Sequence, residues 1–432
     1  MTTRPSPHAL QSLSAWQAAA LLARRELSAE DLMRACLDRA AERDGDVHAF
    51  AYLDPDTALA QARALDAGAV RGPLHGLPLG VKDLFDTFDL PTSYGSPLYA
   101  GHRPAADAAA VALCREAGAV VMGKTVTTEF AYFHPGPTRN PRDLARTPGG
   151  SSSGSAAAVA DGMLPLALGT QTAGSIIRPA AYCGVVGYKP TTGRVPRAGV
   201  KSLSDTLDVV GGFGRSVKDV ALLGAVLTGD GRLLALPEID APRIGMCRTP
   251  AWPLADADTR AAWDRATTVL ATGGTSLVEV ELQESLPDLV SLHKSVMAFE
   301  MTRALSHERV HHSEHLSEAL RLLFREGGVI GGDAHAANLL ATTAAAGSID
   351  ALFERFDMLI APSTTGEAPA GTDATGDPVF CRGWTLLGLP CVHLPFAQGS
   401  HGLPIGLQCI GRNGDDQRLL AAAHWVFERL KR

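Results

Sequence analysis

Residues Thr147–Pro190 read TPGGSSSGSAAAVADGMLPLALGTQTAGSIIRPAAYCGVVGYKP. Two Gly/Ser-rich turns, Gly149–Ser155 and Thr170–Ser175, flank a short apolar segment, Met163–Leu168, whose length and bounding turns predict a buried strand. The alanine-rich run Ser155–Asp161 predicts a helix, with Ser155 as its N-cap, and the second turn leads into Ile176–Tyr182. Glycine lets the backbone bend sharply and approach another group closely. Consecutive amides at such a turn, or at a helix N-terminus, converge on an anion. A stretch of this kind is a flexible linker, a phosphate-binding loop or an acyl-transfer site with a serine nucleophile. A linker conflicts with the structure-forming segments abutting both turns. A phosphate loop lacks G-x-x-x-x-G-K-[ST] and G-x-G-x-x-G here. Taken alone, the third reading stands no higher than the bland ones.

Outward from this stretch the chain alternates strand and helix. Upstream, 9–24, 28–42 and Asp56–Ala67 predict helices, the second announced by the capping signal Ser28-Ala29-Glu30-Asp31. Leu74–Val81 reads as loop plus strand, ending at Lys82-Asp83; Asp107–Ala117 is a helix and Ala119–Gly123 a buried strand. Downstream come Ser216–Leu227 (helix), Arg243–Cys247 (strand), Asp256–Thr272 (helix) and Ser276–Leu282 (strand). Residues 284–356 are mostly helical with a glycine-rich break at Gly327–Gly332. The strands Asp357–Pro362, Cys391–Phe396 and Ile405–Ile410 precede a closing amphipathic helix, Asp415–Leu430. Alternation of this kind argues for an α/β sheet with helices on both faces.

Composition narrows the function classes. The 432 residues are 46% hydrophobic and 20% charged, with a net charge of −7 and no basic cluster, so nucleic acid is not an expected partner. No apolar run has the length of a membrane span or a signal-peptide core, so no membrane partner is expected. Seven scattered cysteines without C-x-x-C pairs read as reduced thiols of a cytoplasmic protein. His307, His311 and His315 recur at i, i+4 and i+8. Without an H-E-x-x-H arrangement they read as a solvated polar face rather than a zinc site, and no metal is expected.

GGSSSGSAAAVA followed by GTQTAGSIIRPAAYCGVVGYKPT resembles the signature of the amidase signature family. The likeness extends to Gly76–Asp83 (GLPLGVKD), Gly123–Ala131 (GKTVTTEFA), GLPCVHLPF and GLPIGLQCIG, nearly the whole chain. It implies one α/β domain over 1–432 with a single large mixed β-sheet covered by helices on both faces. Within it, 1–70 would be an N-terminal helical layer and 71–230 the catalytic core. Residues 231–356 would be a helical substrate-pocket region, and 357–432 the C-terminal strands and helix of the same sheet. It also implies a Ser–cis-Ser–Lys triad: Ser175 as nucleophile, Ser151 as bridging serine behind a cis Gly150–Ser151 peptide, and Lys82 as general base. The amides of Thr172, Ala173, Gly174 and Ser175 would form the oxyanion hole. No cofactor is implied, and a homodimer is the family-level expectation.

The lysine carries a demand. An ordinary lysine, pKa near 10.4, must lose about 3 units, or roughly 4 kcal/mol, to act as a base at pH 7, and burial supplies a shift of that size. Asp83, next along the strand, points to the opposite face. The usual family segment is GTDTGGSIR; here Gln171 and Ala173 replace an aspartate and a glycine, and the arginine moves one place to Arg178. Gln171 is therefore expected to hydrogen-bond nearby backbone and Arg178 to find another acceptor. Ser152 is expected to bond within the turn, and Cys183 to be a buried small hydrophobe. Tyr132, Phe133 and Trp384 are the candidate substrate-pocket aromatics. The expected function is an amidase hydrolysing a small carboxamide to carboxylate and ammonia or amine. The alternatives are the glutaminase component of a tRNA-dependent amidotransferase and a catalytically silent binding protein on the same scaffold.

Overall fold

A computed structural model of the chain describes residues 7–282 and 286–431; residues 284 and 285 of the predicted helical region lie outside the described residues. Eleven strands are found among the described residues: β1 (Phe50–Leu53), β2 (Pro78–Lys82), β3 (Val120–Thr125), β4 (Leu166–Gln171), β5 (Val186–Lys189), β6 (Val209–Gly214), β7 (Ile244–Met246), β8 (Leu277–Glu279), β9 (Met358–Pro362), β10 (Cys391–Gln398) and β11 (Pro404–Ile410). They form one sheet in the order β1-β3-β2-β4-β6-β5-β10-β11-β9-β7-β8. The sheet is mixed. β2 runs parallel to β3 and β4, and β7 parallel to β8 and β9, while the other pairings are antiparallel.

The N-terminal helices are α1 (Pro7–Ser12), α2 (Ala15–Ala23), α3 (Ala29–Val47) and α4 (Pro55–Ala67). The predicted helix 9–24 is thus broken at Ser14. That residue caps α2 by accepting from the Gln17 amide while the Gln17 side chain accepts from the Ser14 amide. α5 (Ala109–Glu116), α6 (Ser153–Ala160), α7 (Ile177–Cys183), α8 (Val217–Thr228) and α9 (Ala257–Thr272) follow. The 284–356 region holds α10 (Leu289–Ala304), α11 (Ser306–His311), α12 (Glu318–Gly328) and α13 (Gly332–Asp350), and the chain closes with α14 (Val379–Leu386) and α15 (Asp416–Leu430). The stretch Gly332–Glu354 is the one helix among the described residues long and apolar enough to cross a membrane; its apolarity is mostly alanine, and Ala345 and Ile349 pack into the core.

Strand alternation divides the apolar side chains between the two faces. In β9, β10 and β11, Ile360, Val392, Leu407 and Cys409 pack with residues of α8, α9 and α15. Their neighbours Leu359, Cys391 and Ile410 pack with Ile177 of α7, Ile349 of α13 and Trp384 of α14. Helices therefore cover both faces.

One register differs from expectation at the centre. The strand predicted at Met163–Leu168 runs instead from Leu166 to Gln171. The amides of Met163 and Leu164 bond back to the Ala158 carbonyl past a left-handed Gly162, so both residues finish the helix turn. Gly169, Thr170 and Gln171 then pair with Gly211, Val210 and Val209 of β6. This places Thr170 on a strand beside the end of β2.

Candidate active site

The last residue of β2 is Lys82, which is fully buried. Its Nζ donates to Ser151 Oγ at 2.8 Å and to Thr170 Oγ1 at 2.7 Å. Burial removes the ammonium from water and lowers the pKa from 10.5 to about 7, while the charge of Asp208 works in the opposite direction. Strand alternation turns Asp83 away, as expected. Its Oδ1 lies 3.0 Å from Lys124 Nζ, and Oδ2 accepts from the Ser93 amide. Two buried lysines, the last residue of β2 and the last but one of the adjacent β3, thus have opposite endowments: Lys124 has a carboxylate, whereas Lys82 has two hydroxyls.

Ser151 follows a cis Gly150–Ser151 peptide. Gly149 precedes it in the left-handed region at φ 81°, where an added Cβ would fall 2.9 Å from Pro179 Cα, so glycine is required there for both reasons. α6 begins at Ser153, so Ser155 is not its cap. The Ser155 hydroxyl lies inside the helix, 2.6 Å from Thr125 Oγ1, and donates to the Leu168 carbonyl. Ser152 likewise bonds across to β4, donating to the Thr170 carbonyl and accepting from the Thr170 amide, rather than within its turn.

The second turn, Thr172–Ser175, joins β4 to α7. The Thr172 carbonyl accepts from His293 Nε2 at 2.8 Å, the Ala173 carbonyl from Thr385 Oγ1 at 2.8 Å, and the Gly174 carbonyl from the Arg178 amide at 2.8 Å. In a trans peptide the N–H points opposite to the carbonyl. The N–H groups of Ala173, Gly174 and Ser175 therefore point away from these three partners. Gln171 Oε1 accepts from the amides of Ile176 and Ile177 at 2.9 and 3.0 Å, and its Nε2 donates to Thr385 Oγ1. Arg178 donates to the carbonyls of Gly376 and Gly150 and to Thr375 Oγ1. The Gln171 and Arg178 departures from the familiar segment are absorbed by main-chain and hydroxyl partners.

His293, on α10, is fully buried, and its pKa is lowered to about 3 by burial and then by neighbouring Arg382. Arg382 only donates and a carbonyl only accepts, so the neutral ring carries its proton on Nε2. Asp208 accepts from Thr172 Oγ1 at 2.6 Å and from the amides of Leu203 and Ser204. Neither residue falls in a motif, and no sequence signal marks them.

Ser151 and Ser175 open on one narrow cavity, walled by Tyr132, Phe133, Ala173, Arg178, Leu203, Met297 and Met301. Tyr132 and Phe133 are thus placed with the serines, and α10 contributes the two methionines. Trp384 does not line this cavity. On α14, Cys381 packs against Gly174 and Thr385 bonds the Ala173 carbonyl, so that face meets the turn. Phe380, Gly383 and Trp384 lie on another face and line a separate apolar cavity of about 390 Å³ with Leu282, Leu286 and Leu289. The 3.6-residue period that brings Cys381 and Thr385 to the turn carries Trp384 away from it. His307 and His311 have ring centroids 5.1 Å apart on exposed α11, but the helix ends at His311, so His315 is not on the same face. Cys183 is buried and its pKa is pushed up to about 12 by that burial, which leaves it an inert thiol.

A model of the amidase family matches residues 31–420. The glutamyl-tRNA(Gln) amidotransferase A-subunit of Roseiflexus castenholzii is 36% identical over a 471-residue alignment covering 95% of this chain and 94% of that relative. Its counterpart from Acidothermus cellulolyticus is 50% identical over 239 residues, a match to 53% of this chain and 47% of that relative. Among solved structures, the native peptide amidase from Stenotrophomonas maltophilia superposes with a TM-score of 0.83, at 30% identity over 97% of each chain. Another, described as an amidase, gives a TM-score of 0.88 at 32% identity over 96% of this chain and 100% of that one. With the match spanning nearly the full sheet and both serine turns, the chain belongs to the amidase family of hydrolases.

Proposed function

We propose that the chain hydrolyses a small carboxamide to a carboxylate and ammonia or an amine through an acyl-enzyme on Ser175. The observation that carries this reading is the buried Lys82 amine held 2.8 Å from the Ser151 hydroxyl, with no carboxylate in ion-pair contact among the described residues. A neutral amine there draws a proton from Ser151, and Ser151 from Ser175, as the Ser175 oxygen attacks the amide carbon. The negative charge moves to the former carbonyl oxygen, which the N–H groups of the Thr172–Ser175 turn receive; one such donor is worth about 3–4 kcal/mol of barrier. The same proton returns to the leaving nitrogen as the C–N bond breaks. A water then attacks the ester carbon with its proton taken through Ser151 to Lys82; as the acyl C–O bond breaks, that proton returns to the Ser175 oxygen and the acid product leaves as the carboxylate.

The expected result of treating the protein with a fluorophosphonate is labelling of one serine, lost in Ser175→Ala. A screen of small amides, scored by released ammonia or amine, then identifies the substrate. Absence of labelling together with absence of hydrolysis sinks the reading in favour of a silent binding protein. A glutaminase role is the second reading, favoured by the 36% identity to an amidotransferase A-subunit over most of the chain. Glutamine hydrolysis appearing only with added partner subunits would decide for it. Seven buried free thiols support a reducing, cytoplasmic setting.

A further inference from the structure

Arg382 of α14 is 5% exposed and reaches the Thr172–Ser175 turn through His293. Its Nη1 donates to His293 Nδ1 at 3.0 Å. Its Nε is buried without a hydrogen-bond partner, and among the described residues no carboxylate stands within ion-pair distance of the guanidinium. Asp377, the acidic group that acts on it through charge, is exposed and makes no ion pair with it. Arg178, 2% exposed, likewise has no carboxylate partner among the described residues, and its Nε is also unpartnered. The two guanidinium carbons lie 5.5 Å (Arg178) and 5.9 Å (Arg382) from the centre of the same Phe133 ring. Two like charges are therefore buried against one aromatic ring, and among the described residues neither is in an ion pair with a carboxylate. Such an arrangement is costly until an anion arrives.

The two arginines are not equivalent. Arg178 spends both terminal nitrogens on Gly376, Gly150 and Thr375, which ties it to the serine turns. Arg382 spends only Nη1. Its other edge, Nε with Nη2, is the edge with which Arg24, Arg232 and Arg412 grip Glu26, Asp230 and Asp350 elsewhere in this chain. That planar fork matches the two oxygens of a carboxylate. Arg382 stands behind that cavity, its guanidinium carbon 5.9 Å from the ring centre of Phe133, which lines it, and the remaining wall of Leu203, Met297 and Met301 suits a short apolar linker.

We propose that Arg382 reads a carboxylate on the substrate, so that the amide cleaved at Ser175 carries an acid group a short chain away, with Arg178 as the second positive charge. This rests on the hydrolase reading above. The test uses the full-length protein and measures the rate at which a fluorophosphonate labels Ser175, with and without about 10 mM oxalate, malonate, succinate or glutarate at matched ionic strength. At least one diacid is expected to slow wild-type labelling tenfold or more relative to sodium chloride, about the effect of a charged fork on a buried carboxylate. Each variant is scored as its own ratio with and without diacid, so a changed basal rate does not enter. Protection is expected to fall at least fivefold in Arg382→Gln and also in Arg382→Lys, which keeps the charge but loses the fork. Should the glutamine variant fail to fold, the lysine variant decides. A wild type that no diacid protects, or variants protected as well as wild type, overturns the proposal. A wild type that no fluorophosphonate labels refutes the underlying hydrolase reading instead.

Discussion

Thr170→Asp would put an anion where a hydroxyl now stands 2.7 Å from the Lys82 amine. In the native site the fall of the lysine pKa from 10.5 to about 7 corresponds to about 5 kcal/mol, and its first cause is removal from water. At a pKa of about 7, roughly half the amine is neutral at pH 7; at 10.5, only about one molecule in 3000 would be. A carboxylate in contact favours the ammonium and raises the pKa by about 1–3, to about 8–10. The neutral fraction at pH 7 then falls about 5- to 500-fold, and returns by pH 10. The assay is the fluorophosphonate labelling rate of Ser175 between pH 5.5 and 10.5, with Thr170→Val as the control that removes the hydroxyl without adding charge. The wild type should rise with pH to a plateau with its midpoint near 7. The valine variant should keep that midpoint or lower it, and the aspartate variant should be slow at pH 7 and recover when alkaline. Recovery at high pH separates a charged lysine from a damaged site. A wild-type rate still climbing through pH 9–10, or an aspartate variant with an unmoved midpoint, refutes the reasoning.

Two further outcomes follow from the same geometry. Gln171→Ala strands the buried amides of Ile176 and Ile177, and at about 1–3 kcal/mol for each unsatisfied group should lower the thermal midpoint by several degrees; an unchanged midpoint would show that the Gln171 cap contributes nothing. All seven cysteines are buried and free, and those at 36, 114, 183 and 381 have pKa values pushed up to about 12 by burial. Iodoacetamide at pH 7.5 should therefore leave the native protein unmodified and add seven groups after denaturation, as read by mass spectrometry; alkylation of the native state would contradict the packing.

Much of the fold is readable because its elements announce themselves locally. α4 and α9 begin at their aspartate caps, and β2, β3 and β9 are short apolar runs ended by polar residues. Lys82, Ser151 and Ser175 stand out through the likeness of contiguous segments, and their juxtaposition is a matter of β2 lying next to β4, which no local pattern encodes. The groups that hold the second turn are not readable. His293 and Arg382 sit on helices that match no motif, and their value comes from distances to residues 121 and 89 positions away in sequence. Trp384 is misplaced by sequence reasoning because aromatic character says nothing about helix face. The strand β4 is expected three residues early because Gly169 and Thr170 look like a turn until β6 pairs with them.

Two of the three carbonyls of the second turn are held from the C-terminal half: His293 on Thr172 and Thr385 on Ala173, with Arg382 behind His293. A polypeptide still emerging from the ribosome, with about 290 residues exposed, already owns Lys82, Ser151 and Ser175 but none of these braces. Vectorial synthesis thus delivers the reactive hydroxyls early and their rigid seat only when α14 arrives, so a prematurely terminated chain carries the chemistry's letters without the frame that makes them act.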